Sequence, residues 1–251
     1  MEAGRVIAIS VAGFDPSGGA GLTADIKTFE QHRVYGLGII TALTVQTAEK
    51  CISVRWETNA HILEGLRLML DAYNVRAVKI GAVKDAVMLH EIVSLVRATD
   101  SGIHIVADTV MSATSGFDFW TKSIDHKLLR ETLSLIDVIT PNYREIMQLV
   151  PGEDAKEAAA TLGAYCAVLL KGGHNPGEPG VDYLYRSGNV SRITGQPGRL
   201  PPKHGSGCVL SAAIAANLAL GYDIPGACRN AKLYIEKFLS SNQSLLGYHY
   251  A

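Results

Sequence analysis

Nowhere in this 251-residue chain do about 18 apolar residues run together, so no membrane-spanning helix is expected. A charge excess is missing too: 23 Lys and Arg stand against 24 Asp and Glu, for a net −1. With no local basic cluster either, neither nucleic acid nor an anionic membrane meets an attracting field. The four cysteines, Cys51, Cys166, Cys208 and Cys228, form no Cys-x-x-Cys pair. That excludes a zinc knuckle or dithiol redox motif and fits a reducing cytosol. No His-Glu-x-x-His run offers a protein-built catalytic zinc site. The apolar run Val6–Ile9 is too short for a signal peptide and no small-residue cleavage pattern follows it, so a cytoplasmic protein is expected. Linkers, low-complexity tracts and internal repeats are absent, and residues 1–251 are read as one domain.

What is present is a globular composition, 47% hydrophobic and 19% charged, in a chain long enough to bury a sizeable core. Short apolar runs alternate with helical patterns. Val6–Ala12, Leu37–Val45, Ala77–Ile80, Ile103–Ala107, Ile136–Thr140 and Ala167–Leu170 read as strands. Between or after them, Leu22–Phe29, His61–Ala72, Asp85–Ala98, Tyr143–Leu149, Glu153–Tyr165, Cys208–Leu220 and Ile224–Leu239 read as helices, with Asp85 as an N-cap. Val181–Tyr185 and Val190–Ile193 flank Arg186-Ser187-Gly188-Asn189, a hairpin signal, and Thr194–His204 is a Gly/Pro-rich loop suited to a flap. The alternation predicts a three-layer α/β/α sandwich with a mostly parallel sheet and antiparallel strands at one edge.

Two glycine loops carry the chemical signal. Gly13 to Gly21 follows the first strand, but no Gly-Lys-Ser/Thr closes it and the Gly-x-Gly-x-x-Gly spacing is not met, so it is neither a Walker A loop nor a Rossmann fingerprint. The second, Gly205-Ser206-Gly207-Cys208, opens a long run of helix formers. Unpaired N–H groups and the helix dipole suit such a start to an anion, and glycine lets the backbone come close to a ligand; the plainer reading is an ordinary loop-to-helix junction with a small buried Cys. In that field the Cys208 thiol is expected to have a lowered pKa.

Asp15, Gln46, Asp108, Asn142, Glu145 and Lys171 stand at or just beyond strand ends, the edge where open α/β sheets bind ligands. Asp108 could hold Mg²⁺, Asn142 and Glu145 could share a helix face toward the same ion or its waters, and Lys171 could neutralise a phosphate. Each has a plainer reading as a cap, turn former or solvated charge. His174 and His204 read as solvated loop residues, and Cys51, Cys166 and Cys228 as small core or surface residues.

Val11 through Phe29, with its Gly13-Phe14-Asp15-Pro16-Ser17-Gly18-Gly19-Ala20-Gly21 loop, closely resembles the opening of hydroxymethylpyrimidine/phosphomethylpyrimidine kinases of the ribokinase superfamily. The likeness continues, in order, through Ile40–Gln46, Lys79-Ile80-Gly81, Asp108–Met111, Ile139–Asn142, Leu170–His174 and His204–Ala213. The resemblance implies a ribokinase-like fold, a homodimer, and transfer of phosphate from MgATP to a hydroxymethylpyrimidine or its monophosphate for thiamin synthesis. It implies that Ala20, Asp25, Gln46 and Val110 line the pyrimidine pocket and that Gly205, Ser206 and Gly207 form the anion hole. Cys208 then stands as general base where sugar kinases have Asp, Asn142 and Lys171 approach ATP, and Asp108 and Glu145 lie near Mg²⁺. Ala82-Val83, Ser112–Gly116 without a Lys, Ser206 for Thr, and the segment after Lys232 depart from the pattern and bear on substrate range. Two other readings are a pyridoxine or pyridoxal kinase and a non-catalytic nucleotide or precursor sensor on a kinase scaffold.

Overall fold

Parallel strands need crossovers, and this chain supplies a helix at nearly every one. A computed structural model describes residues 4–109, 125–175, 177–196 and 200–250. In it β1 (Ile7–Phe14), β2 (Tyr35–Gln46), β3 (Cys51–Trp56), β4 (Val75–Ile80), β5 (His104–Ala107), β6 (Val138–Ile139), β7 (Ala167–Leu170), β8 (Asp182–Arg186) and β9 (Asn189–Ile193) form one sheet. Its order is β3-β2-β1-β4-β5-β6-β7-β8-β9. The strands from β2 to β7 run parallel, while β3 at one edge and β8–β9 at the other are antiparallel. The expected late hairpin is there; β3 was not anticipated.

Alternation along the strands divides the core. Ile9, Val11, Val78, Ile80, Ile105 and Ile139 face α2 (Asn59–Ala72), α3 (Ala86–Thr99), α4 (His126–Leu133), α5 (Tyr143–Leu149) and α6 (Ala155–Leu162). Ala8, Ala77, Val106, Val138 and Leu169 face α1 (Gly21–Gln31), α7 (Ser206–Ala219) and α8 (Ile224–Ser240). The result is the expected three-layer sandwich. Helix α7 is apolar all round, with Val209 to Ala219 buried throughout, as a central helix must be. Its run of Ala lets it lie close to the sheet and to α8.

Boundaries follow local chemistry. Asp85 accepts from Met88 N at 2.9 Å and starts α3 as expected. Asp154 and Glu157 form a capping box that shortens the expected Glu153–Tyr165 helix to α6. Helix α4 starts on the Asp125 cap and had not been read from the sequence.

Candidate active site

The parallel order places β2 on one side of β1 and β4 on the other, so the chain reverses its direction of growth between β1 and β4. Such a switch point leaves a crevice beyond the strands' carboxyl ends. Backbone bonds align those ends: Gly81 N donates to Val11 O at 2.8 Å, Asp108 N to Ile80 O at 2.8 Å, Thr140 N to Ala107 O at 3.2 Å and Lys171 N to Pro141 O at 2.8 Å. The loops that carry Asp15, Asp108, Asn142 and Lys171 leave from this row, whereas Gln46 lies in the β2–β3 hairpin and the Gly205–Cys208 loop comes in after β9.

Beneath the crevice lies a buried ion pair. Ser10 and Lys79 are register partners on β1 and β4, and Asp25 reaches them from α1. Lys79 Nζ lies 2.9 and 2.8 Å from the two Asp25 oxygens, and Ser10 Oγ donates to Asp25 at 2.6 Å. Both charged side chains are wholly buried. Burial alone would depress Lys79; the carboxylate, with Cys208 and Asp108 nearby, outweighs it and holds the ammonium. Sequence reading missed Lys79 as a site residue. Its signal was there: a lone lysine inside the buried run Ala77-Val78-Lys79-Ile80 needs a buried partner.

The second glycine loop opens α7. Gly205 is the N-cap of α7 at φ 73°, so the left-handed backbone there favours glycine. A Cβ on Gly205 would lie 2.0 Å from Gly19 O, so the two glycine loops interlock. One on Gly207 would lie 3.3 Å from Lys171 Nζ and 3.4 Å from Asp108 Oδ2. The first turn of α7 therefore faces an ammonium and a carboxylate.

Cys208 corrects an expectation. Its thiol sits in that first turn, but its pKa is not lowered. Burial pushes it up to about 11; Lys79 pulls down, while Asp25 and Asp108 add to the rise. Desolvation and two acidic neighbours outweigh the helix terminus.

Asp108, Glu145 and Lys171 meet as one cluster. Lys171 Nζ is 2.9 Å from Asp108 Oδ1 and 3.6 Å from Glu145 Oε2. Thr140 Oγ1 donates to Asp108 at 2.9 Å and Thr109 Oγ1 to Glu145 at 3.2 Å. Burial would raise the Asp108 carboxyl, but Lys171 and Lys79 together outweigh it and hold it below its ordinary value. Glu145 goes the other way: its burial, with Asp108 adding repulsion, exceeds the pull of Lys171. Lys171 itself is raised because Asp108 and Glu145 overcome its burial. Asn142 is the N-cap of α5; its Oδ1 accepts from Arg144 N and Glu145 N, and Glu145 Oε2 accepts from Asn142 N at 2.7 Å. The plainer reading of Asn142 as a cap thus holds. Among the described residues no three or more His, Cys, Asp or Glu side chains form a metal-holding group.

His204 overturns a second expectation. It is buried, and Nε2 donates to Asp15 Oδ2 at 2.9 Å. Asp15 also accepts from Ser17 N, Ser17 Oγ and Ala20 N, each at 2.8 Å. Burial would raise this carboxyl; the bonds from His204, Ser17 and Ala20 keep it below its usual value. Ala20 is the N-cap position of α1 and lies against Gly205. Gln46 ends β2 opposite Cys51, half-buried, in the β2–β3 hairpin rather than beyond a strand. Val110 and Ser112–Gly116 lie outside the described residues, as does the side chain of His174.

A ribokinase-like sheet with a glycine-opened helix start, an ammonium and two carboxylates at its switch-point edge suits a small-molecule phosphotransferase. The model of the phosphomethylpyrimidine kinase family matches residues 15–250, and the chain belongs to that family. A hydroxymethylpyrimidine/phosphomethylpyrimidine kinase of Rhizobium meliloti is 36% identical over 95% of this chain and 92% of its own. A phosphomethylpyrimidine kinase of Clostridium difficile superposes with a TM-score of 0.76 at 31% identity, covering 92% of this chain and 98% of its own. The Bacillus subtilis pyridoxal kinase, solved as an ADP complex, gives 0.84 at 28% identity, covering 95% and 93%.

Proposed function

We propose that the protein transfers the γ-phosphoryl group of MgATP to the hydroxymethyl oxygen of 4-amino-5-hydroxymethyl-2-methylpyrimidine, to its monophosphate, or to both, in thiamin diphosphate synthesis. The observation that carries this reading is the approach of Gly207, at the start of α7, to Lys171 and Asp108. Phosphoryl transfer asks chiefly for positioning and for charge stabilisation around the moving group, and this edge offers both.

In this reading the Gly205, Ser206 and Gly207 amides receive the transferring oxygens, and Lys171 turns from Asp108 to the ATP phosphates. Asp108 and Glu145 suit Mg²⁺, which takes one or two carboxylates and completes its shell with phosphate oxygens and water. Bound there, the ion would neutralise charge on the phosphates. The Asn142 amide contacts the nucleotide in this reading. Ala20, Asp25, Gln46 and Val110 are the pyrimidine contacts, with Lys79 holding Asp25. As the hydroxymethyl oxygen bonds to phosphorus and ADP departs, the hydroxyl proton passes to Sγ of Cys208 in its thiolate form. Residues 1–251 act as one cytoplasmic domain in a homodimer, for which the exposed Tyr35, Val45 and Ile52 of the β2–β3 edge supply an apolar surface. Among the described residues, no helix is long and apolar enough to cross a membrane.

Pyridoxal phosphorylation is the second reading, favoured by the 0.84 superposition on the Bacillus subtilis enzyme. The test offers ATP and Mg²⁺ with the pyrimidine, its monophosphate or pyridoxal, each with wild-type protein and Cys208→Ala. Turnover of a pyrimidine that collapses in the variant supports the proposal, and turnover of pyridoxal alone replaces it with the second reading. ATP binding without turnover of any of the three returns the sensor.

A further inference from the structure

We propose that Asp15 and His204 are a positioning pair, a strut that sets the anion seat against the substrate loop and so fixes the gap the phosphoryl group crosses. Neither residue has a role in the assignment above. The inference rests on that assignment only in taking residues 205–207 as the seat.

The pair joins two loops 189 residues apart, through a 2.9 Å bond between side chains that are 9% and 1% exposed. Both ends are braced. Asp15 is held to its own loop by the two bonds from Ser17 and the one from Ala20 N. His204 donates its backbone N–H to Leu245 O at 2.9 Å, and Lys203 before it donates to Asn242 O at 2.5 Å and Ser244 O at 2.6 Å. A Cβ on Gly19 would lie 2.7 Å from both the His204 ring and the Leu246 side chain, so the ring is wedged as well as bonded. The next residue is Gly205, packed on Gly19 O and on the Cα of Ala20. Movement of His204 therefore carries the seat with it, relative to the loop that presents Ala20 and leads into Asp25.

One bond carries the polar content of the ring, because His204 Nδ1 has no partner among the described residues. Glutamine can present its amide nitrogen where Nε2 stands, while leucine keeps bulk and loses the donor. A bond that merely holds the fold together should change stability. A strut should change the rate of the step that depends on the gap, and reactant misplacement of about 1 Å can cost ~10²-fold.

The test measures kcat and KM for pyrimidine and ATP in wild type, His204→Leu, His204→Gln, Asp15→Asn and the Asp15→Asn/His204→Leu double variant, with thermal melts alongside. We expect His204→Leu and Asp15→Asn to lower kcat about 30- to 100-fold with each KM within about threefold. His204→Gln should restore most of kcat, and the double variant should be no slower than the worse single one. Unchanged kcat in folded His204→Leu, no recovery in folded His204→Gln, or losses that multiply in the double variant would each overturn the strut. Should His204→Leu not fold, Asp15→Asn decides alone: its kcat falls as stated, or the inference is wrong. Failure of the wild type to phosphorylate any of the three acceptors defeats the functional reading and the strut with it. A working wild type beside an indifferent His204→Leu defeats only the strut.

Discussion

The raised thiol of Cys208 makes the pH profile of this enzyme the sharpest test of its chemistry. With a pKa of about 11 the thiolate fraction at pH 7.5 is ~3 × 10⁻⁴, against ~10⁻¹ for an ordinary thiol near 8.5. The group is an acid, so its proton-accepting form grows as pH rises. If Cys208 takes the hydroxyl proton in the free-enzyme form, kcat/KM rises about tenfold per pH unit from pH 7 and shows no plateau below about pH 10. The assay is ADP release with the pyrimidine as acceptor, checked at each pH for retention of fold. Cys208→Ser keeps size and a proton but has a far weaker base, so it should lose about 10²- to 10⁴-fold near neutral pH. Cys208→Asp places an ionised carboxylate there and should flatten the profile above pH 7. A wild-type plateau near pH 8 would refute the raised thiol. A steep profile that survives in Cys208→Ser would refute its role as the acceptor.

Lys79→Met leaves the Asp25 charge buried without its partner, a loss of about 3–5 kcal/mol by denaturant titration, and pairing it with Asp25→Leu should recover most of that. Gly205→Ala should cost at least ~1–3 kcal/mol, because a Cβ at φ 73° would also lie 2.0 Å from Gly19 O; the melt and the turnover should fall together. The Asp15 carboxyl is held below its ordinary pKa by His204, Ser17 and Ala20 against the opposing effect of burial. Its contribution to stability is thus present above the unfolded carboxyl pKa and disappears as pH falls through the folded one. Urea midpoints compared at pH 7 and below pH 4 should therefore differ less in Asp15→Asn than in wild type.

Much of this architecture could be read from the chain, because short apolar runs ended by Gly81, by Pro141-Asn142 and by Lys171-Gly172 mark strand ends directly. The start of α7 was legible for a like reason: a glycine loop stands before an uninterrupted run of helix formers. What escaped depended on partners distant in sequence. Whether Lys79 is an anomaly or half of a buried pair turns on Asp25, 54 residues away. His204 looked like a loop histidine because nothing near it in the chain reveals Asp15. Cys208 misled in another way: the helix start was in the sequence, but the desolvation and the acidic neighbours that overrule it exist only after folding. Strand β3 carries exposed Ile52 and no buried residue, so its apolar pattern was too weak to mark.

The 189-residue span between Asp15 and His204 also bears on how the protein fails. Closing a loop of that length costs on the order of 5 kcal/mol of chain entropy, recovered only while α7 and α8 stay docked on the sheet. Opening of that layer separates the two halves of the catalytic edge while the parallel strand ladder persists. On heating, activity should therefore vanish before the sheet signal does, and a ligand touching both loops should close that interval by holding the distant ends of the chain together.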